Sequence, residues 1–322
     1  MKSRRIIYDR SRNSVSQSSL SASRSADRFR PAPGAPVLRP SPPTWVHDAM
    51  PALRCNGTSI AGAVRSGALV WLSTTIPRAR TLDAEALRRE VERVYVGLGR
   101  TLVACGTTAL RIWNYLPDPN EAMEPGLDRY MVFNAGRHVG YRQWFTDDAF
   151  EAAVPTASAV GVPGGDVVVH CLASSERGRA VQNPRQKPSW EYSARYGPVA
   201  PSFSRATIAA VGGRERLLIG GTASIVGEES VHIGNVEAQL DETLRNLAAL
   251  IAAAQHGAEP PERSLARLRD IRVYIARERD ADVIGDRLAS RCAGVARIEM
   301  TAAPLCRPEL LVEIEGLADL DA

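Results

Sequence analysis

Near its C-terminus the chain reads LLVEIEG over residues 310–316, with two carboxylates, Glu313 and Glu315, at alternate positions of an apolar run. In a strand, alternate side chains share one face, so both acids lie opposite Val312 and Ile314. If that face is buried, desolvation opposes ionisation, and a carboxyl that keeps its proton near neutrality can act as a general acid. If it is exposed, the two are ordinary solvated strand residues. Glu313, flanked by Val312 and Ile314, is the candidate acid. Cys306 stands seven residues earlier with no histidine or lysine beside it to favour a thiolate, so it reads as a small apolar residue. As a strand neighbour, Arg307 is expected on the opposite face. Arg137 in FNAGR and Arg205 in FSRA sit in Gly/Ser-containing contexts that read as loops at a cleft. A guanidinium offers fixed, planar, permanently charged donors to a carboxylate. Tyr130 and Tyr192 can add hydrogen bonds to the same ligand, or simply pack at its rim. All 40 basic residues but Lys2 and Lys187 are arginines, so composition alone singles out neither arginine.

Positioning these residues requires strands and helices. SGALVWLSTT (66–75) is a short apolar run with branched and aromatic residues, which predicts a strand. Asp83 can cap a helix to about Ala104, with Leu87, Val91, Val94, Leu98 and Leu102 at spacings of three and four as its buried stripe. Gly106 ends it, and Ala109–Leu116 reads as the next strand. The order then repeats: a strand over Arg216–Val226, a helix over Val236–Ala254 with a stripe of Leu240, Leu244, Leu247 and Ile251, and a strand over Leu268–Ala276. ALRIWNYLPDPN and DIRVYIARERDAD both follow a long amphipathic helix and precede acidic residues, as a duplicated β-α-β unit would. A helix over Asp280–Cys292 and strands over Arg297–Ala302, Leu310–Ile314 and Val162–Cys171 complete the reading. Residues 183–206 hold four prolines and four aromatics without periodicity, which predicts an ordered functional loop.

The 322 residues suffice for about two domains. The net charge of +4 divides unevenly. Residues 1–43, rich in Arg, Ser and Pro, carry nine basic and two acidic residues and are expected to be disordered. The remainder has 31 basic and 34 acidic residues, which points away from nucleic acid. No run of 18 apolar residues is present, so no membrane partner is expected. Five scattered cysteines, without CxxC or HExxH spacing or a secretory leader, imply reduced thiols, a cytoplasmic location and no metal. The oligomeric state stays open, a homo-oligomer included.

The segment APLCRPELLVEIEG, with the helix and strands before it, resembles the end of the RidA/YjgF imine-deaminase superfamily, although Cys306 replaces an expected proline. From about Pro43 onward the chain resembles a narrower family, the chorismatases. Three stretches carry that likeness: YMVFNAGRHVGY (130–141), residues 183–206 with NPRQ, YGP and FSRA, and GTASIVG (221–227) together with LCRPELLVEIEG (305–316).

The resemblance implies an α/β fold of two RidA/YjgF-like (chorismate mutase-like) β-α-β units, with mixed sheets and amphipathic helices packed on one face. The expected halves are 44–160 and 161–322. It also implies cleavage of chorismate to pyruvate and a ring acid, for secondary metabolism. Glu313 would protonate the enolpyruvyl methylene, and Arg137 and Arg205 would clamp the two carboxylates, with Tyr192 and Tyr130 assisting. Members with alanine at the positions of Cys306 and Gly221 resemble hydrolases that yield a dihydroxycyclohexadiene acid. Those with cysteine and glycine, as here, resemble synthases of 3-hydroxybenzoate, some of which also release 4-hydroxybenzoate. No residue pattern calls for a pterin or other cofactor. The rival readings are an imine deaminase using Arg297 and a non-catalytic ligand-binding module.

Overall fold

The computed structural model describes residues 7–9, 35–54, 62–145, 147–256 and 260–321. Its N-terminal sheet holds β1 (Gly62–Ser66), β2 (Leu69–Ile76), β3 (Thr108–Pro117), β4 (Thr156–Val162) and β5 (Val167–Ser174), in spatial order β1-β2-β5-β3-β4. Helices α1 (Ala84–Ala104) and α2 (Arg129–Tyr141) accompany it. The second half repeats the pattern with β6 (Ala206–Val211), β7 (Arg214–Ala223), α3 (Val236–Ala254), β8 (Leu268–Ile275), α4 (Ala281–Arg291), β9 (Arg297–Ala302) and β10 (Val312–Asp319). Their order β6-β7-β10-β8-β9 matches the first sheet strand for strand. In each sheet one pair is parallel, β3 with β4 and β8 with β9, and each such pair is joined through a helical crossover.

The helices form where their sequences place caps and stripes. The Asp83 carboxylate accepts from the Ala86 amide at 2.8 Å, and the Asn235 side chain accepts from Ala238 at 3.0 Å. The stripes Leu87–Leu102 and Leu240–Ile251 are buried against their own sheets. Each such leucine stabilises the fold by roughly 1.5–3 kcal/mol relative to exposure. The opposite faces of the two sheets meet through Trp71, Trp113, Val160, Leu218, Tyr274 and Leu317. The layers therefore run helix, sheet, sheet, helix.

Several expectations change. The single strand expected over Val162–Cys171 is two, split at 163–166, and both belong to the N-terminal sheet; the expected change of halves at 160/161 thus falls inside β4. The strand over Arg216–Val226 ends at Ala223, and Ile225–Val226 instead pairs with Glu229–Ser230. Residues 35–43 of the expected tail are placed: Ala35 and Leu38 are buried, Leu38 N donates to Ala302 O at 3.0 Å, and Arg272 donates to the carbonyls of Ser41 (3.0 Å) and Pro42 (3.1 Å). Ile7–Asp9 adds a strand to the β9 edge. A polar segment that cannot fold by itself finds its backbone partners on an open sheet edge. The rest of the expected tail, 1–6 and 10–34, and Cys55 lie outside the described residues.

Candidate active site

A cavity of about 280 Å³ opens between the two halves. The N-terminal half contributes Tyr130 and Arg137 from α2 and Ser158 from β4. The C-terminal half contributes Tyr192 and Arg205 from the aromatic loop, Gly221 from β7, Cys306, and Glu313 from β10. All seven residues singled out in the sequence therefore line one cavity. Residues 183–206 form an ordered irregular loop with short helical turns at Ser189–Glu191 and Ala194–Tyr196.

Arg137 is not on a loop. Asp128 caps α2 by accepting from the Met131 amide at 2.7 Å, and Tyr130, Asn134 and Arg137 recur along it at spacings of four and three. Gly136 lets α2 press onto α1, since a Cβ there would lie 2.9 Å from Val91 Cβ. The Arg137 side chain is buried; its Nη2 donates to Asn134 Oδ1 at 2.7 Å, while its Nε has no partner. Arg205 Nη2 donates to Lys187 O at 3.0 Å and to the Tyr192 hydroxyl oxygen at 2.6 Å, and its Nε is likewise unpartnered. The guanidinium lies 5.7 Å from the Tyr192 ring centre and 5.0 Å from that of Phe203. Two buried cations with unused donors are suited to an anionic ligand.

Both glutamates are buried, but their surroundings differ. Glu315 accepts from Arg111 Nη2 at 2.7 Å, Ser158 Oγ at 2.8 Å and Trp113 Nε1 at 2.9 Å, so it belongs to the wall behind the cavity. Among the described residues no donor bonds the Glu313 carboxyl, which is 4% exposed. Burial and the neighbouring Glu315 push it up to about 8, against the opposing pull of Arg111 and Arg205. Room for this carboxyl comes from an irregularity in β7, whose pairing with β10 shifts register between Ile219 and Thr222. A Cβ on Gly221 would overlap Oε1 of Glu313 and stand 2.7 Å from its Cδ.

Cys306 is half-buried at the cavity wall, and burial with Glu313 nearby pushes its thiol up to about 12, so it is neutral. The expected opposite orientation of Arg307 is overturned. Residues 306–311 lie before β10, which begins at Val312, so strand alternation does not apply, and Arg307 lines the same cavity. Its guanidinium sits 3.8 Å over the Tyr196 ring and donates to Glu228 O at 2.8 Å. Arg111 and Ser158 also escaped the sequence reading, because nothing local distinguishes a buried strand arginine from 37 others. Arg297, the candidate of the deaminase reading, pairs with Asp48 (2.8 Å) and Asp270 (3.0 Å), away from the cavity.

The arrangement can bind a small anion with two carboxylates and hand it a proton from a neutral acid. The family model for chorismatase, FkbO/Hyg5-like, N-terminal, matches residues 45–173. A 3-hydroxybenzoate synthase of Streptomyces hygroscopicus is 34% identical over 66% of this chain and 63% of its own. A chorismatase of Streptomyces rapamycinicus is 33% identical over 70% of this chain and 68% of its own. A crystal structure of chorismatase superposes with a TM-score of 0.68 at 27% identity, covering 80% of this chain and 78% of that one. The chain belongs to the chorismatase family. It spans 63% of the length of the first relative and 68% of the second.

Proposed function

We propose that this protein cleaves chorismate into pyruvate and 3-hydroxybenzoate. The observation that carries the reading is the buried, unbonded Glu313 carboxyl facing the same cavity as two buried arginines with free Nε donors. Chorismate carries one carboxylate on its ring and one on its enolpyruvyl group, and Arg137 and Arg205 would each hold one. Tyr192, whose oxygen already accepts from Arg205, keeps its own proton for the substrate.

Glu313 then donates its proton to the terminal methylene carbon of the enolpyruvyl group, leaving an oxocarbenium ion. The adjacent ring hydroxyl oxygen bonds to the ring carbon as the ether bond to that carbon breaks, and the ether oxygen departs as the keto oxygen of pyruvate. The resulting epoxide opens with loss of one ring proton, which restores Glu313, while the hydroxyl proton stays with the phenol. Chorismate is thereby divided between the two products without consuming water. Cys306 and Gly221 would limit where a water can stand beside the cation, which favours the aromatic product over the hydrolytic one. The Streptomyces hygroscopicus relative named for 3-hydroxybenzoate supports that choice. On this reading the enzyme works in the cytoplasm on a small molecule, with no metal, organic cofactor, nucleic acid or membrane; a homo-oligomer is compatible with it. No helix among the described residues is long and apolar enough to cross a membrane.

Incubating the purified protein with chorismate tests the proposal. Pyruvate and 3-hydroxybenzoate should appear in equal amounts, with any 4-hydroxybenzoate as a minor companion. Pyruvate accompanied only by the dihydroxycyclohexadiene acid would make it a hydrolase, and no pyruvate at all would end the chorismatase reading.

A further inference from the structure

Glu315 and its donors are the part of this site that the proposed reaction leaves idle. Arg111 and Glu315 are 1% and 2% exposed and paired at 2.7 Å. Ser158 Oγ accepts from Arg111 at 2.8 Å while donating to Glu315, and Ser158 also lines the cavity beside Gly221. A buried ion pair of this kind adds little stability over well-packed apolar residues, so its presence beside the site calls for a role. Glu315 lies two residues from Glu313 on the same strand face, a step of roughly 6.6 Å. A fixed negative charge at that separation, shielded from water, opposes a second ionisation.

We propose that Glu315 is a positioning residue for the acid: locked as an anion by Arg111, Trp113 and Ser158, it holds the proton on Glu313 and so fixes the pH above which the enzyme stops. The inference rests on Glu313 being the proton donor. The other groups facing Glu313 act otherwise. Arg111 from β3 and Arg205 ahead of β6 favour its ionised form. Tyr130 and Arg137 face the cavity from α2, and Cys306 and Arg307 from the segment before β10. Asp128 and Glu309 also line the cavity, both half-buried. On β8, Tyr274 and Arg272 stand in register with Glu313 and Glu315. Burial keeps Tyr274 neutral, and Arg272 is committed to Glu299 at 2.8 Å.

The pH profile of pyruvate release separates this role from a merely structural one. Glu315→Gln retains shape and an acceptor but removes the charge, leaving Arg111 uncompensated beside the acid. Its alkaline limb should move toward acid by about one pH unit, so that at pH 8 the rate falls about elevenfold below its own low-pH plateau, against about twofold for wild type. Glu315→Ala removes the same charge and should move the limb the same way; it serves if Glu315→Gln does not fold. A plateau that drops while the limb stays within about 0.2 unit of wild type in the folded variants would overturn the proposal. If Glu313→Gln itself retains turnover, the acid assignment falls instead; if it is inactive and the limb does not move, only the role of Glu315 falls.

Discussion

Glu313 and Glu315 show how two identical side chains, two residues apart on one strand, come to opposite states. Three donors bond the Glu315 carboxylate, whereas Glu313 faces the cavity and the field of its neighbour. With its carboxyl raised to about 8, Glu313 carries a proton at neutral pH. Turnover should therefore be flat below that pH and fall tenfold per unit well above it. Glu313→Gln should lower turnover by about 10²–10⁴-fold and abolish the limb; retention of more than half the wild-type rate in a pyruvate assay would remove Glu313 from the mechanism. The arginines are tested by binding. Titrated with chorismate in the Glu313→Gln background, Arg137→Ala and Arg205→Ala should each weaken affinity by roughly 1.5–3 kcal/mol, about 10- to 150-fold. Unchanged affinity in both would place the substrate elsewhere.

At the scale of elements, the site depends on where regular structure is interrupted. The register shift in β7 sets Gly221 against the Glu313 carboxyl, and the turn before β10 directs both Cys306 and Arg307 into the cavity. Cys306→Ala removes one sulfur and makes room for about one water, for which roughly 10–15 Å³ of free space is enough. It should still release pyruvate but divert part of the ring product to the dihydroxycyclohexadiene acid, as chromatography would show. Exclusive formation of 3-hydroxybenzoate would relieve Cys306 of any part in water access, and total loss of pyruvate would make its sulfur chemically necessary. Gly221→Ala has a second consequence that the sequence did not reveal. The new methyl must displace the acid itself, so the total rate should fall together with any change in product ratio. Unaltered turnover in this variant would mean that β7 yields and that the close approach is not needed.

At the scale of the whole molecule, the cavity imposes a cost on folding. The unfolded chain ionises Glu313 near the usual 4.5, while the folded chain retains the proton to about 8. Between those values the folded state binds more protons, so this residue's contribution to stability falls as pH rises and levels off above about 8. Glu313→Gln has no such dependence. Its melting temperature should match wild type near pH 4 and exceed it at pH 9; equal melting temperatures at both pH values would show that Glu313 is not buried in this way. The same reasoning explains why the acid sits on a central strand of a duplicated four-layer fold, where the surrounding sheet can carry the strain of one unpaired polar group.

Local chemistry was enough to locate the long helices, because Asp83 and Asn235 cap them and their leucines recur with the helical period. It also selected seven residues that share a cavity, through the motifs in which they stand and the family resemblance those motifs carry. Strand alternation placed Glu313 and Glu315 on one face without saying that one would be bonded and the other free. That difference depends on Arg111, Trp113 and Ser158, which arrive from β3 and β4 of the other half. Helix α2 was hidden because its glycines and polar residues blur the apolar stripe, which only packing against α1 makes sense of. Arg307 shares the cavity with Cys306 because strand alternation starts only at Val312. The residue types and their local periodicity are properties of the chain, whereas dielectric, pairing and close approach arise only when residues distant in sequence are brought together.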